Sequence, residues 1–94
     1  MNAVQKWATV IPAYNQPNRL LQTIAHLPNQ LQELIIVIDD GSTPPLHVDN
    51  VEILRHGKNK GYGAAQKSGY ELAIAKGATH IALVHGDCQY DPKA

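Results

Sequence analysis

Residues 34–43 read LIIVIDDGST: an apolar run from Leu34 to Ile38 passes directly into Asp39, Asp40, Gly41, Ser42 and Thr43. Ile35, Ile36, Val37 and Ile38 are all β-branched, and a strand that shows no polar alternation is one covered on both faces. The stretch therefore predicts a buried strand of a mainly parallel sheet, with two carboxylates and a glycine turn at its carboxyl end. Ligands of open parallel sheets bind beyond those ends, so Asp39 and Asp40 are the first candidates for chemistry.

The pattern extends on both sides of this strand. WATVIP at 7–12 predicts a first strand. Asn15 is placed to cap a helix and Pro17 to occupy its first turn, and Leu20, Leu21, Ile24, Ala25 and Leu27 recur at helical spacing before Pro28. On the other side, Gly41 and Pro44-Pro45 close a loop, and residues 44–49 have room for one helical turn. Residues 51–56 alternate as a less buried third strand, followed by the loop HGKNKG. A second helix is expected from Gly61 or Tyr62 to Lys76, with Gly77 just past its end. THIALV at 79–84 makes a fourth strand that ends at His85-Gly86-Asp87. The order β-α-β-β-α-β predicts an α/β fold of three layers, α/β/α, around a mainly parallel sheet of about four strands with right-handed crossovers.

In that arrangement the clusters Tyr14-Asn15, Asp39-Asp40, Lys58 to Lys60 and His85 to Asp87 each follow a strand and converge on one edge of the sheet. The second helix is rich in small residues, among them Ala64, Ala65, Ser68, Gly69 and Ala73. Gly69 in mid-helix costs about 1 kcal/mol relative to alanine. Two readings fit it: close packing on the sheet, or a helix start that approaches a ligand phosphate.

The chain has 94 residues, 44% hydrophobic and 17% charged, with a formal net charge of zero. This is the profile of one small globular domain, or part of one. No basic cluster points to nucleic acid. No apolar run approaches the ~20 residues that span a bilayer, and no charged leader with an apolar core marks a signal peptide. Cys88 is the only cysteine, which excludes an internal disulfide and fits a reducing, cytoplasmic setting. It is read as a packing residue. His26, His47, His56 and His80 are scattered without metal-ligand spacing, and Trp7 and Tyr70 are read as packing groups.

Two phosphate motifs fail on inspection. Gly61-Tyr62-Gly63 begins like a dinucleotide fingerprint, but its third glycine position is Gln66 and it follows the third strand rather than the first. Aligning the aspartyl-phosphatase motif on Asp40-Gly41 puts Ile38 where the nucleophilic aspartate must stand.

Four blocks in order carry a specific resemblance: VIPAYNQ at 10–16, IIVIDDGST at 35–43, NKGYGAAQKSGYELA at 59–73 and HGDCQYDP at 85–92. Together they resemble the nucleotide-sugar-binding, N-terminal half of family 2 glycosyltransferases of GT-A fold. The NKGYG block and the QYDP tail are most similar to the dolichyl- or polyprenyl-phosphate sugar transferase branch. The resemblance implies a nucleotide site at Pro12, Ala13, Tyr14 and Asn15, with Ala13 and Tyr14 lining the base pocket. It places base recognition on Asp40, where a carboxylate would accept from a uracil or guanine ring N–H. Asp39 has two readings, ligand contact or a buried carboxylate tying down the Gly41 turn. Lys60 and Gly61 fall beside the nucleotide, Lys60 either neutralising a diphosphate or lying solvated on the surface.

The family's metal-binding DxD falls on His85-Gly86-Asp87. The resemblance therefore implies a divalent cation, Mn²⁺ or Mg²⁺, with Asp87 as direct ligand. His85 departs from the pattern, because imidazole suits Mg²⁺ poorly, and an inert strand-end histidine is the other reading. Gln16 also stands where many relatives carry an acid. The implied partners are a UDP- or GDP-linked nucleotide sugar and a lipid-phosphate or glycan acceptor, with membrane association held open for the full-length parent.

In the family the acceptor site and catalytic base lie downstream of the DxD, so no base is nominated here. The fourth strand is expected to end the sheet with an uncovered edge, and self-association into a homo-oligomer is expected through it. Three functional readings remain open: the donor-binding portion of a sugar transferase, a nucleotide-binding module without turnover, and a structural remnant whose site has decayed.

Overall fold

In the computed structural model, which describes residues 4–85 and the backbone of 90–91, the Leu34–Thr43 stretch forms the strand β2, Ile35–Asp40, and every one of its residues is buried. It pairs in parallel with β1, Trp7–Ala13, on one side and with β3, Glu52–His56, on the other. β4, His80–Val84, pairs in parallel with the far side of β1. The helices are α1, Pro17–Ala25, and α2, Tyr62–Ala75, and a 3₁₀ turn spans Asn29–Leu31. A fifth strand, β5, Tyr90–Asp91, runs antiparallel along Leu83 and Val84. The sheet order is β3-β2-β1-β4-β5. The fold is thus the expected mainly parallel α/β sheet.

Strand alternation divides the core between two faces. Ala8, Val10, Ile36, Ile38 and Leu83 point to the face that meets Ala65 and Ala73 of α2. Ile11, Ile35, Val37 and Val84 point to the other, against Leu20 of α1 and Leu27 and Leu46 of the loops. This double cover explains the unbroken apolar run, and each wholly buried aliphatic side chain contributes about 1.5–3 kcal/mol. The two helices lie on opposite faces because the chain steps from β1 to β2 in one direction and returns from β3 across β1 to β4 in the other. Right-handed crossovers of opposite direction demand opposite faces.

The small residues of α2 find their explanation here. Ala65, Gly69 and Ala73 recur every fourth position and are the helix's buried residues. A methyl group on Gly69 would run into Cγ1 of Val10. Close approach of helix to sheet therefore accounts for the mid-helix glycine.

Several local expectations are corrected. Asn15 does not cap α1. It adopts a left-handed conformation (φ 54°), as does Gln16 (φ 52°), which is the N-cap and makes no side-chain cap bond. Asn15 instead ties the β1–α1 turn to the β2 loop: its backbone N–H donates to Ser42 Oγ (2.6 Å), and its Oδ1 accepts from Thr43 N–H (3.0 Å). Leu21, expected on the apolar face of α1, is half exposed. No helical turn forms in 44–49. The carboxyl-terminal edge of β4 is not bare, because β5 covers it at Leu83 and Val84. Among the described residues, no helix is long and apolar enough to cross a membrane.

Candidate functional site

The chain reverses its direction of travel across the sheet between β1 and β4, which makes the carboxyl ends of these strands a topological switch point, the usual crevice for ligands. Two adjoining clefts open there. One, of about 300 Å³, is lined by Pro12 to Gln16, Arg19, Leu20, Tyr62 and His85. The other, of about 270 Å³, is lined by Pro12, Ala13, Tyr14, Asp40, Asn59, Gly61, Tyr62 and Ala65. Pro12, Ala13, Tyr14 and Tyr62 belong to both, so the two tyrosines, each about half exposed, stand at the boundary.

Asp40 sits beneath the second cleft, 5% exposed. Its Oδ1 accepts from His56 Nδ1–H (2.7 Å) and Lys60 N–H (3.0 Å), and its Oδ2 accepts from Gly61 N–H (2.9 Å). Burial pushes its carboxyl pKa up, but the hydrogen bonds from Lys60, His56 and Gly61 outweigh burial and hold it below the usual carboxylate value. Asp40 therefore anchors the loop that walls the cleft. A carboxylate has about four acceptor positions, so Oδ2 keeps capacity for one further donor.

Asp39 is wholly buried and lines neither cleft. Its Oδ1 accepts from Ser42 N–H (2.9 Å), and its Oδ2 accepts from Leu46 N–H (2.9 Å) and from an Arg55 guanidinium N–H (2.8 Å). Burial again raises the pKa, and the bonds from Ser42, Leu46 and Arg55 bring it below the ordinary value. Of its two readings, this geometry is that of the carboxylate tying down the turn. Gly41, between the two loops, has φ 84°, and a Cβ there would lie 2.6 Å from Asn59 N and 2.7 Å from Lys58 C. Only glycine admits the Asp40-held loop so closely.

Pro12, Ala13, Tyr14, Asp40 and Gly61 thus come together around one cleft, Asn15 and His85 border its neighbour, and Lys60 supplies a backbone N–H while its side chain is exposed. Asp87 lies outside the described residues. His85 Nδ1 and the Tyr62 hydroxyl are 2.9 Å apart, and their rings stack with centroids 5.5 Å apart. Among the described residues no group of three His, Cys, Asp or Glu side chains converges, so these residues alone do not fit a cation.

Three participants escaped the sequence reading, His56, Tyr62 and Arg19, while Asn59 lies in the expected Lys58 to Lys60 cluster. His56 and Asp40 are sixteen positions apart and meet only because β2 and β3 align in the register Asp40↔His56. Tyr62 carried a signal, an aromatic residue on the first turn of a helix that follows a glycine loop.

Comparison with known proteins gives the family. Residues 8–94 match the model of glycosyl transferase family 2. The chain is 30% identical over 88 residues to an uncharacterized protein of Methanocaldococcus jannaschii, covering 89% of this chain and 36% of that protein. It is 33% identical over 90 residues to the glycosyltransferase GlyG of Streptococcus pneumoniae serotype 4, covering 85% of this chain and 29% of that protein. The chain spans about a third of the length of these curated relatives.

Proposed function

This chain belongs to glycosyl transferase family 2, and on that premise we propose that it is the donor-binding portion of a glycosyltransferase that moves a sugar from a nucleotide-diphosphate donor. The observation that carries this reading is the gathering of Pro12, Ala13, Tyr14, Asp40 and Gly61 around one cleft at the carboxyl edge of the parallel sheet. In this reading a planar base would lie between the Tyr14 and Tyr62 side of the cleft and its floor. There the remaining acceptor position of Asp40 Oδ2 would take a ring N–H of uracil or guanine. The Lys60 side chain, exposed beside Gly61, supplies a cation for the diphosphate. Asp39, sealed beneath the 42–46 loop, is given no contact with the nucleotide in this reading.

Members of the family commonly use a divalent cation. Mn²⁺ or Mg²⁺ would be held through Asp87, and when bound it would carry charge on the departing diphosphate. His85, engaged by Tyr62, is assigned to the aromatic wall in this reading, with Nε2 left as its only further donor atom to a metal. The acceptor proposed for the whole protein is a lipid phosphate or a glycan hydroxyl. The lipid-phosphate choice and a cytoplasmic, membrane-associated setting rest on the likeness of NKGYG and QYDP to the polyprenyl-phosphate branch. Pairing of a second copy along an edge of the sheet is the proposed route of self-association. A monomeric mass across a wide concentration range would contradict that route.

Calorimetric titration of UDP and GDP, with and without Mn²⁺, tests the donor reading. The expected result is saturable binding of one nucleotide, strengthened by Mn²⁺, with the Mn²⁺ effect lost in Asp87→Ala and the binding itself lost in Asp40→Ala. No binding of either nucleotide by the folded wild type would overturn it.

A further inference from the structure

A chain of polar contacts, buried at Asp40 and His56 and part-buried at Ser68, runs from the floor of the cleft across to α2. It joins Asp40 Oδ1 to His56 Nδ1 (2.7 Å) and His56 Nε2 to Ser68 Oγ (2.9 Å). An ionised carboxylate only accepts, so Nδ1 carries the proton that it donates, and the second bond joins Nε2 to a Ser68 hydroxyl that can donate or accept. His56 is 8% exposed at the end of β3. Neither His56 nor Ser68 lines either cleft, so the order carboxylate, imidazole, hydroxyl presents no nucleophile to a ligand there. What the chain does reach is the loop. Asp40 holds the Lys60 and Gly61 amides, Gly61 is the N-cap of α2, and Tyr62, its first residue, walls both clefts.

Resting on the donor-site reading above, we propose that His56 is a positioning residue of the nucleotide site. Its Nδ1–H fixes the rotamer of Asp40, Ser68 Oγ holds the far nitrogen and so the orientation of the ring, and Asp40 so fixed sets the 60–62 wall against which the nucleotide binds. A hydrogen bond to a charged partner in a buried place is strong enough for its loss to be felt at the ligand. The three groups come from β2, β3 and α2, so the brace also ties the edge strand and the helix start to one carboxylate.

The test compares His56→Asn, which keeps a side-chain N–H near the place of Nδ1, with His56→Gln, which puts it near Nε2, and with His56→Leu, which has none. Each variant is examined by amide hydrogen exchange and by titration with UDP and GDP. In the Gln and Leu variants the Lys60 and Gly61 amides should exchange about 10-fold faster and the Kd for the bound nucleotide should rise about 10-fold, whereas the Asn variant should stay within about threefold of wild type in both. Exchange in the Val10 and Ile38 core should hold steady in the Asn and Gln variants, which decide the matter if the Leu variant does not fold. Unchanged protection of Lys60 and Gly61 in the Gln variant would overturn the proposal. So would acceleration spread evenly through the core with Kd unaltered, the mark of a merely structural histidine. Failure of the wild type to bind either nucleotide would instead overturn the donor reading, and the exchange rates would then decide the brace by themselves.

Discussion

Asp39 and Asp40 are adjacent in sequence and serve different halves of the molecule. Asp39 shares strand parity with Ile35 and Val37, faces the α1 side and holds the 42–46 loop together with Arg55. Asp40 shares parity with Ile36 and Ile38, faces the α2 side and holds the 60–61 loop together with His56. The first is sealed in the interior, and the second reaches a cleft. In a strand covered on both faces, an acidic pair is therefore two sites in two layers. Each carboxylate is met across the sheet by the residue in register with it, Arg55 for Asp39 and His56 for Asp40.

The largest effect that would sharpen this contrast is expected from Asp39→Ala. It strands two buried backbone N–H groups and one guanidinium, and should lower stability by about 3 kcal/mol, toward the low end for a broken buried pair because Arg55 is partly exposed. Urea denaturation measures the loss, and a loss below about 1 kcal/mol would break the contrast. Gly41→Ala should follow at about 2 kcal/mol, from a left-handed alanine and from overpacking against Lys58 and Asn59. Because that push falls on the Asp40-held loop, it should also weaken nucleotide binding, which Asp39→Ala should leave nearly unchanged in the folded fraction.

Acid comes next. Both carboxyls have folded pKa values below the unfolded value of about 3.9, so the unfolded chain takes up protons first as the pH falls. Stability from this source should be full above about pH 5. It should then decline as the pH drops through 4 toward the folded values, by up to about 1.4 kcal/mol per pH unit for each proton taken up. Stability measured from pH 7 to pH 2 should show this slope, reduced in Asp39→Asn. The smallest effect is expected from Arg55→Met, about 0.5–1 kcal/mol, because solvent screens a guanidinium whose side chain is 36% exposed. Its denaturation midpoint should fall slightly while nucleotide affinity stays at the wild-type value.

The sheet was legible because double burial leaves a compositional mark: LIIVI has no polar alternation, and its strand is one of the two inner strands of the four parallel ones. The α2 boundaries were legible from Gly61 and Gly77, both of which adopt positive φ. What could not be read depended on register. Nothing local in RH at 55–56 says that these residues meet DD at 39–40, since the match arises only when β2 and β3 align. Asn15 was misread for a related reason. Its side chain had a local role open to it at the helix start, and a distant backbone N–H, Thr43, took the bond instead. Of the cleft residues, Tyr14 was found because loops after parallel strands must share one edge, whereas Pro12, Ala13 and Gly61 came from the resemblance to the family. Tyr62 was passed over because its place in a helix concealed that its ring stands at the mouth of both clefts.

The most direct measurement is amide chemical-shift mapping on the isotope-labelled protein during titration with UDP and with GDP. Shifts concentrated at Ala13, Tyr14, Asn59, Gly61 and Tyr62, with the Leu46 amide still, are predicted for a nucleotide seated on the Asp40 side. Shifts centred on Leu46 and its neighbours, or no shifts from either nucleotide, would contradict the division of labour between the two aspartates and the donor site built on it.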